Sequence, residues 1–269
     1  MDHLRGTPDQ LALENGIMLH LWGTPTDSEA AATPLWRYFP TSKLLQVLET
    51  DTLYFAAATQ FEDRYEGSTS VLSSDLAGFP VGTPAAAFDA FFGNTRNRYK
   101  VSCWHQSSTE NSLMWQAYAT AGKGAAIRST LDRVIRAIKP LRFGQGPLND
   151  VFWCGSVRYL DLTQEKVPPN AEPPVGIVKR FFFKHNAFEP EREFRFLANL
   201  HHFTGAISDP APPLLGISVS VDLAVLVEAI VVGPGLSQDD VATLEKVAAA
   251  VGLADRLRES SLRLQPRFL

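Results

Sequence analysis

The fold is decided by the stretch LWRYFPTSKLLQVLETDTLYF, residues 35–55. Its first five residues predict a strand that stops at Pro40, because proline has no amide hydrogen to donate to a neighbouring strand. Thr41 or Ser42 then caps a short helix whose leucines fall on one face. Residues 53–55 predict the next strand. The stretch therefore indicates a strand, a helix and a strand in quick succession.

The rest of the chain repeats this mixture of short strands and helices. The further predicted strands are Tyr99–Trp104, Ala125–Arg128, Phe152–Leu160, Arg192–Leu197, Leu215–Val221, Ala229–Val232 and Ser261–Leu264. The further predicted helices are Pro84–Phe92, Glu110–Ala121, a helix from Ser129 or Thr130 to Ile138, Val175–Phe183 and Gln238–Val251.

These elements follow no regular βαβ period, and no GxGxxG turn opens a helix, so a Rossmann fold is not indicated. We expect one α+β domain over residues 35–269, with mixed, mostly antiparallel sheets and flanking helices. Residues 1–34 form an N-terminal extension in which only Ile17–Trp22 has strand character.

Composition narrows the classes of function. The net charge of −4 gives no global attraction to nucleic acid or to an anionic membrane. Cys103 and Cys154 lie in apolar segments without CxxC spacing, which predicts buried thiols and neither a disulfide framework nor a metal site. The first residues lack the apolar core of a secretory signal. We therefore expect a cytoplasmic protein with no membrane partner.

Arg37 is the first candidate binding residue. Alternation along its strand places the guanidinium on one face and the rings of Trp36 and Tyr38 on the other. An arginine fixed in an aromatic setting can clamp a phosphate or a carboxylate. The alternative is an arginine on an edge strand that pairs with a surface acid.

Asp63 and Glu66 form a second, weaker candidate, since two carboxylates three residues apart in a loop can bind a hydroxyl-rich ligand or a metal. Without histidine partners they indicate a solvated loop or a salt bridge at least as well, and no metal is expected.

The segment from Ser102 to Tyr118 is unusually aromatic, with Trp104, Met114 and Trp115 in between. Such rings can stack a planar group such as nicotinamide or adenine, although core packing is the more common explanation. His105 has neither an acid nor a nucleophile at a recognisable spacing, so a catalytic triad is not indicated.

The sharpest polar signal is the strand that contains Glu191, Glu193 and Arg195. These three charges project to one face, where a carboxylate could bind a ribose hydroxyl or act as a general base. Arg195 would then hold that carboxylate ionised. A lattice of paired charges on an exposed sheet face is the alternative.

Taken in order, these segments resemble a bacterial and phage family known as domain-of-unknown-function family 2971. The resemblance rests on LWRYFP, LYFAAATQFEDRYEG, VSCWHQSSTENSLMWQAYATAGKGAAIR, VRYLDL, FFFKHNAFEPEREFR and VVGP, which together span most of residues 35–235. It implies kinship within that family and leaves the activity open.

The order of elements also resembles, more distantly, the ADP-ribosyltransferase superfamily. That resemblance implies an ADP-ribosyltransferase-like fold and NAD as the substrate. It implies that Arg37 binds the pyrophosphate, that Tyr38 or Tyr54 faces the nicotinamide, and that Glu193, with Glu191 in a Glu-x-Glu spacing, is catalytic. Ser102 would assist. The chain departs from the superfamily pattern in having Trp-Arg-Tyr on its first strand and no Ser-Thr-Ser string.

Two classes of function follow. The first is an NAD-dependent ADP-ribosyltransferase or NAD-cleaving enzyme that acts in conflict between bacteria and phage, with Trp115 and Arg195 completing the NAD site and a protein or nucleic acid as the acceptor. The second is a non-catalytic module that binds a nucleotide, a nucleic-acid end or a protein in the same groove. A metal-dependent nuclease is a third alternative.

Overall fold

The computed structural model describes residues 17–22, 32–68, 70, 82–141, 150–167, 178–199 and 214–264. Over these ranges the chain forms a single α+β domain with a mixed, mostly antiparallel sheet, which confirms the predicted fold class. The strands are β1 (Ile17–Trp22), β2 (Pro34–Pro40), β3 (Thr52–Ala57), β4 (Tyr99–Gln106), β5 (Gly124–Thr130), β6 (Asp150–Ser156), β7 (Arg158–Leu160), β8 (Phe183–His185), β9 (Glu193–Asn199), β10 (Gly216–Ser220), β11 (Ala229–Val232) and β12 (Leu257–Glu259).

Six α-helices lie between these strands in the described ranges. They are α1 (Thr41–Thr50), α2 (Ala85–Arg98), α3 (Ser112–Tyr118), α4 (Leu131–Ala137), α5 (Leu223–Leu226) and α6 (Gln238–Ala250). Short 3₁₀ turns occupy Ala58–Gln60, Val178–Phe182, Asn186–Glu191, Ala254–Arg256 and Ser261–Arg263. None of the described helices has the length and apolar character needed to cross a membrane.

Ten strands form one sheet. Eight of them follow the order β1-β6-β9-β4-β2-β5-β11-β12, while β3 joins β4 beside β2 and β10 pairs with β3. Within this sheet β1 with β6 and β11 with β12 are parallel, and the other pairs are antiparallel. β7 and β8 form a separate parallel pair. The strand at 17–22, predicted inside the N-terminal extension, is thus part of the sheet, at its edge.

The sheet forks along one edge of β4. β2 pairs with β4 only through residues 35 and 36, at the C-terminal end of β4. β3 pairs with β4 only through residues 56 and 57, at its N-terminal end. Residues 102–104 of β4 have no strand partner on this side in the described part of the chain. β2 and β3 therefore diverge and leave a gap in the sheet.

The main core lies on one face of the sheet, where α1, α4 and α6 pack. It includes Leu44, Leu48, Leu131, Val134 and Leu244, none of which is exposed. On the other face, α3 packs its Met114 and Trp115 against the rings of β2. Because the two faces are covered by different helices, the gap between β2 and β3 lies between two packed layers.

Several predicted elements differ in detail from the structure. Neither Thr41 nor Ser42 caps α1, since the N-cap is Pro40 and no side chain bonds there. α3 is shorter than predicted because the chain turns at Thr120 and Ala121, both of which have positive φ. The predicted strand over Phe152–Leu160 is broken at Val157, whose amide donates instead to the carbonyl of Glu193.

Two predictions of element type are wrong. The helix predicted over Val175–Phe183 is a 3₁₀ turn over Val178–Phe182, and residues 175–177 lie outside the described ranges. The strand predicted over Ser261–Leu264 is a 3₁₀ turn, started by the Ser260 hydroxyl, which accepts a hydrogen bond from the amide of Leu262. The terminal strand lies a few residues earlier, in β12.

Candidate functional site

A cavity of about 590 Å³ opens at the gap between β2 and β3. We call it the fork cleft. Its walls carry aromatic rings, one arginine and a pair of carboxylates. The predicted site residues that line the fork cleft are Arg37, Tyr38, Tyr54, Glu191 and Glu193. Five positions from three segments of the sequence are therefore brought to one cavity.

Arg37 lies inside the fork and bridges the three strands that form it. From β2, its Nη1 donates to Ser102 Oγ on β4 over 2.7 Å, and its Nη2 donates to the carbonyl of Tyr54 on β3, also over 2.7 Å. No carboxylate of the described residues lies within ion-pair distance of it. Both partners are neutral, so the positive charge of Arg37 is not compensated.

The surroundings of Arg37 are apolar. Its guanidinium lies 5.3 Å from the ring centre of Phe39 and 5.8 Å from that of Trp104. Burial among these groups lowers the pKa of Arg37 to about 10. At neutral pH the side chain is still charged, and an anion that entered the fork cleft would meet a cation of reduced hydration.

Ser102 holds the guanidinium of Arg37 through a hydrogen bond. Its side chain is 1% exposed, and its hydroxyl accepts hydrogen bonds from both Arg37 and the indole nitrogen of Trp104, the latter over 3.1 Å. Ser102 is not among the residues that line the cavity. Its position is that of a group that orients Arg37 and does not reach a ligand.

The opposite wall of the fork cleft holds Glu191 and Glu193, which we call the acid pair. Lys184 on β8 donates from its Nζ to Glu191 Oε2 and to Glu193 Oε1, each over 2.6 Å. The second oxygen of Glu193 accepts from Arg195 Nε over 2.6 Å. The second oxygen of Glu191 accepts from the hydroxyl of Tyr118 over 2.9 Å. Both oxygens of each carboxyl in the acid pair therefore accept a hydrogen bond.

The two carboxyls of the acid pair have opposite pKa shifts. Burial alone would raise the pKa of Glu193, but Arg195 and Lys184 outweigh it and hold that pKa well below the ordinary value. Burial raises the pKa of Glu191 to about 7, and the adjacent Glu193 adds to the effect. One carboxyl is therefore ionised at neutral pH, while the other titrates there.

Arg195 does not reach the fork cleft. Its side chain is 0% exposed and forms a bidentate pair with Glu66, besides its bonds to Glu193 and to the carbonyl of Phe181. Since every side of the guanidinium is occupied, Arg195 is placed to hold Glu193 and not to bind a cofactor. Glu66, an uncertain candidate in the sequence, is buried in this ion pair.

Trp115 does not face the cavity either. It is 1% exposed, its ring meets that of Tyr38 edge-on at 4.8 Å, and its indole nitrogen donates to Glu110 Oε2 over 2.9 Å. A planar ligand in the fork cleft would contact Tyr38, not Trp115. Asp63 accepts from the amide of Tyr65 within its own turn, and it does not line the cavity.

His105 also lies in the wall of the fork cleft, and it is 1% exposed. Its Nδ1 is 2.6 Å from the carbonyl of Glu191, so Nδ1 must be the donor. Burial lowers the pKa of His105, which favours the neutral ring. No nucleophile bonds to its Nε2 in the described ranges, and the structure contains no triad around it.

Sequence reasoning missed Lys184 and the hydroxyl of Tyr118. Lys184 directly follows the three phenylalanines that end the predicted helix Val175–Phe183, and nothing in the sequence there distinguishes this lysine from an exposed one. The only signal was its apolar context, because a lysine surrounded by buried residues needs an acidic partner. The sequence marks Tyr118 only as an aromatic residue of the helix. Its hydroxyl could not be assigned a role, because its partner Glu191 lies 73 residues away.

The site is built without a recognisable metal centre. In the described part of the chain, no group of three or more His, Cys, Asp or Glu side chains could hold a metal ion. The chain matches no protein-family model, no curated protein and no solved structure. The basis for assigning a function is therefore the geometry of the fork cleft.

Proposed function

We propose that the chain binds NAD in the fork cleft and cleaves its nicotinamide–ribose bond, with water or a macromolecule as the acceptor of ADP-ribose. One observation carries the proposal: the uncompensated Arg37 and the acid pair line the same cavity. The predicted resemblance to ADP-ribosyltransferases, and a role in conflict between bacteria and phage, belong to this proposal.

The cation side of the cleft suits a diphosphate. Arg37 has neutral partners only, and guanidinium groups bind phosphate oxygens through charge-assisted hydrogen bonds. Lys43, at the start of α1, lines the same cavity and is exposed. A volume of about 590 Å³ is within the range of sites that hold cofactor-sized ligands.

The aromatic side suits a planar base. Tyr38 is buried with its ring in the wall, whereas Tyr54 is 43% exposed and its hydroxyl donates to Gln60 Oε1 over 3.0 Å. Rings at a cavity wall can stack on nicotinamide or adenine. The two tyrosines lie on β2 and β3, one on each side of the fork.

The acid pair suits the chemistry of the C–N bond. When nicotinamide leaves with the bonding electron pair, positive charge develops on the ribose, and the ionised Glu193 can stabilise that charge. An oxygen of water or of the acceptor then bonds to the ribose carbon, and its proton passes to Glu191. Each carboxyl thus has one task, set by its pKa.

Release of nicotinamide from NAD tests the proposal. Purified wild-type protein is expected to release nicotinamide, and Glu193→Gln to be at least about 100-fold slower because it lacks the charge that stabilises the transition state. The matched control is Glu245→Gln, an exposed position on α6 away from the cleft. If wild type and Glu193→Gln release nicotinamide equally slowly, and no labelled ADP-ribose reaches protein or nucleic acid, the chain does not cleave NAD.

A second candidate function is binding without turnover. The full pairing of Glu193 with Lys184 and Arg195 favours it, because both oxygens of that carboxylate are already occupied. The ligand would be a nucleotide, a nucleic-acid end or a partner protein. Thermal stabilisation of the protein by NAD or ADP that is lost in Arg37→Ala, without release of nicotinamide, would support this function over the enzymatic one.

A further inference from the structure

We propose that Lys184 is a positioning residue of this site, which fixes the two carboxylates of the acid pair side by side in the wall of the fork cleft. The inference rests on the proposed function for its meaning, but the geometry that carries it is present without any ligand. Lys184 comes from β8, outside the ten-stranded sheet, and reaches both carboxylates with one ammonium group.

The position of Lys184 leaves it little freedom. Its side chain is 6% exposed, and its Nζ lies 2.6 Å from an oxygen of each carboxylate and 4.4 Å from the ring centre of Phe188. An ammonium held at two points by carboxylates determines the distance between them. Without it, two like charges would lie side by side with no cation between them, and ionisation of Glu191, which is 18% exposed, would become less favourable.

A count of charges shows why the lysine is needed. Three carboxylates, Glu66, Glu191 and Glu193, share two cations, Lys184 and Arg195. The cluster is neutral only when it carries one proton. Removal of Lys184 would leave three carboxylates with one cation, and the cluster would then need two protons to be neutral. The other groups that contact Glu191 are the hydroxyl of Tyr118 and, through the Glu191 carbonyl, His105, which Arg192 also faces; Cys103 faces Glu193.

Titration of the acid pair in the ligand-free protein tests the inference. Carbon-13 NMR of labelled glutamate carboxyls, assigned with Glu191→Gln and Glu193→Gln, follows both groups against pH. In Lys184→Met we expect the midpoint of Glu191 to rise by at least about one pH unit, because loss of an adjacent cation favours the neutral carboxyl. Lys184→Arg keeps the charge and is expected to restore the midpoint to within about half a unit.

Two further measurements separate positioning from a structural role. Lys246→Met, on the exposed side of α6, is the matched control and should leave the midpoint unchanged. If Lys184→Met does not fold, Lys184→Met with Glu191→Gln removes one charge of each sign, and Glu193 in that variant should titrate at a higher pH than in Glu191→Gln alone. An unchanged Glu191 midpoint in folded Lys184→Met, or an unchanged Glu193 midpoint in the double variant, overturns the inference. Because no NAD is present, this outcome is independent of whether NAD is the substrate.

Discussion

Arg37 and Arg195 lie on strands on opposite sides of β4, and the two arginines have opposite surroundings. Arg195 is completely buried, and two carboxylates and a carbonyl occupy its donors. Arg37 is half-buried in the gap of the sheet, and its partners are a hydroxyl and a carbonyl. One arginine is thus neutralised by carboxylates, whereas the charge of the other has no carboxylate partner.

The difference teaches how to separate structural from functional arginines. A buried arginine that is matched by carboxylates contributes to the integrity of the fold, and its removal leaves buried charges without a partner. An arginine with neutral partners beside a cavity keeps its charge for something that enters. Arg195 belongs to the first kind, and we propose that Arg37 belongs to the second.

The largest expected effect is that of Arg195→Met on stability. Removal of the guanidinium leaves Glu66 and Glu193 buried without it, and we expect the free energy of unfolding to fall by about 3–5 kcal/mol. Urea unfolding followed by circular dichroism measures the change. Arg195→Met combined with Glu66→Gln should recover part of the loss. A decrease below about 1 kcal/mol would show that Arg195 contributes no more to the stability of the fold than Arg37 does.

Arg37→Met is expected to act on binding more than on stability. Its loss removes two hydrogen bonds to neutral acceptors, so the free energy of unfolding should fall by about 1 kcal/mol. The affinity for ADP, measured by calorimetry, should fall about 10- to 100-fold, because one charge-assisted contact is worth about 1.5–3 kcal/mol. Equal affinity in wild type and variant would show that Arg37 only connects β2 with β3 and β4 and does not contact the ligand.

Ser102→Asp converts the surroundings of Arg37 into those of Arg195. The new carboxylate should pair with Arg37 and compensate its charge, so ADP should bind about 10-fold more weakly although the guanidinium is still present. Ser102→Asn has nearly the same shape without the charge and serves as the control. If both variants lose the same affinity, the cause is steric and not electrostatic.

A further expected effect is a dependence of stability on pH that comes from Glu191. Its pKa is about 7 in the folded protein against 4.5 in a free side chain, so the folded state binds the extra proton between these values. The free energy of unfolding should therefore decrease as pH rises from 5 to 8, by about 1–3 kcal/mol. Glu191→Gln cannot ionise and should lack this decrease, which urea unfolding at both pH values would reveal.

Much of the fold follows from local patterns in the sequence. The strand at Arg37, the helix after it and the strand at Glu193 were predictable, because alternation and apolar spacing are properties of short segments. The opposite faces of Arg37 and of Trp36 and Tyr38 followed from the same alternation. The fork did not, because it depends on which strands pair with β4 and over how many residues.

Four residues of the candidate site were predictable because they lie on strands: Arg37, Tyr38, Tyr54 and Glu193. Glu191 was also identified and lines the same cavity, but its predicted place on the strand of Glu193 is wrong, because it ends a 3₁₀ turn and Arg192 has positive φ. Whether a charged side chain faces that cavity or a partner depends on contacts between distant segments. Arg195 was assigned to the ligand because its partner Glu66 lies 129 residues away. Lys184 was missed for another reason. Its two acidic partners lie only 7 and 9 residues away, but the segment before it is predicted as a helix, whereas Lys184 lies on β8.

Glu110 makes the wall of the fork cleft depend on residues that the ribosome adds much later. Its carboxylate holds Trp115 of α3 and also accepts hydrogen bonds from Ser260 and Ser261, which lie 150 and 151 residues further along the chain. Met114 and Tyr118 on the same helix line the fork cleft. At about 5–20 residues per second, a ribosome needs roughly 8–30 s to add those residues. A nascent chain that already contains Arg37 and the acid pair therefore still lacks a fully anchored wall, and binding by the fork cleft should begin only late in translation.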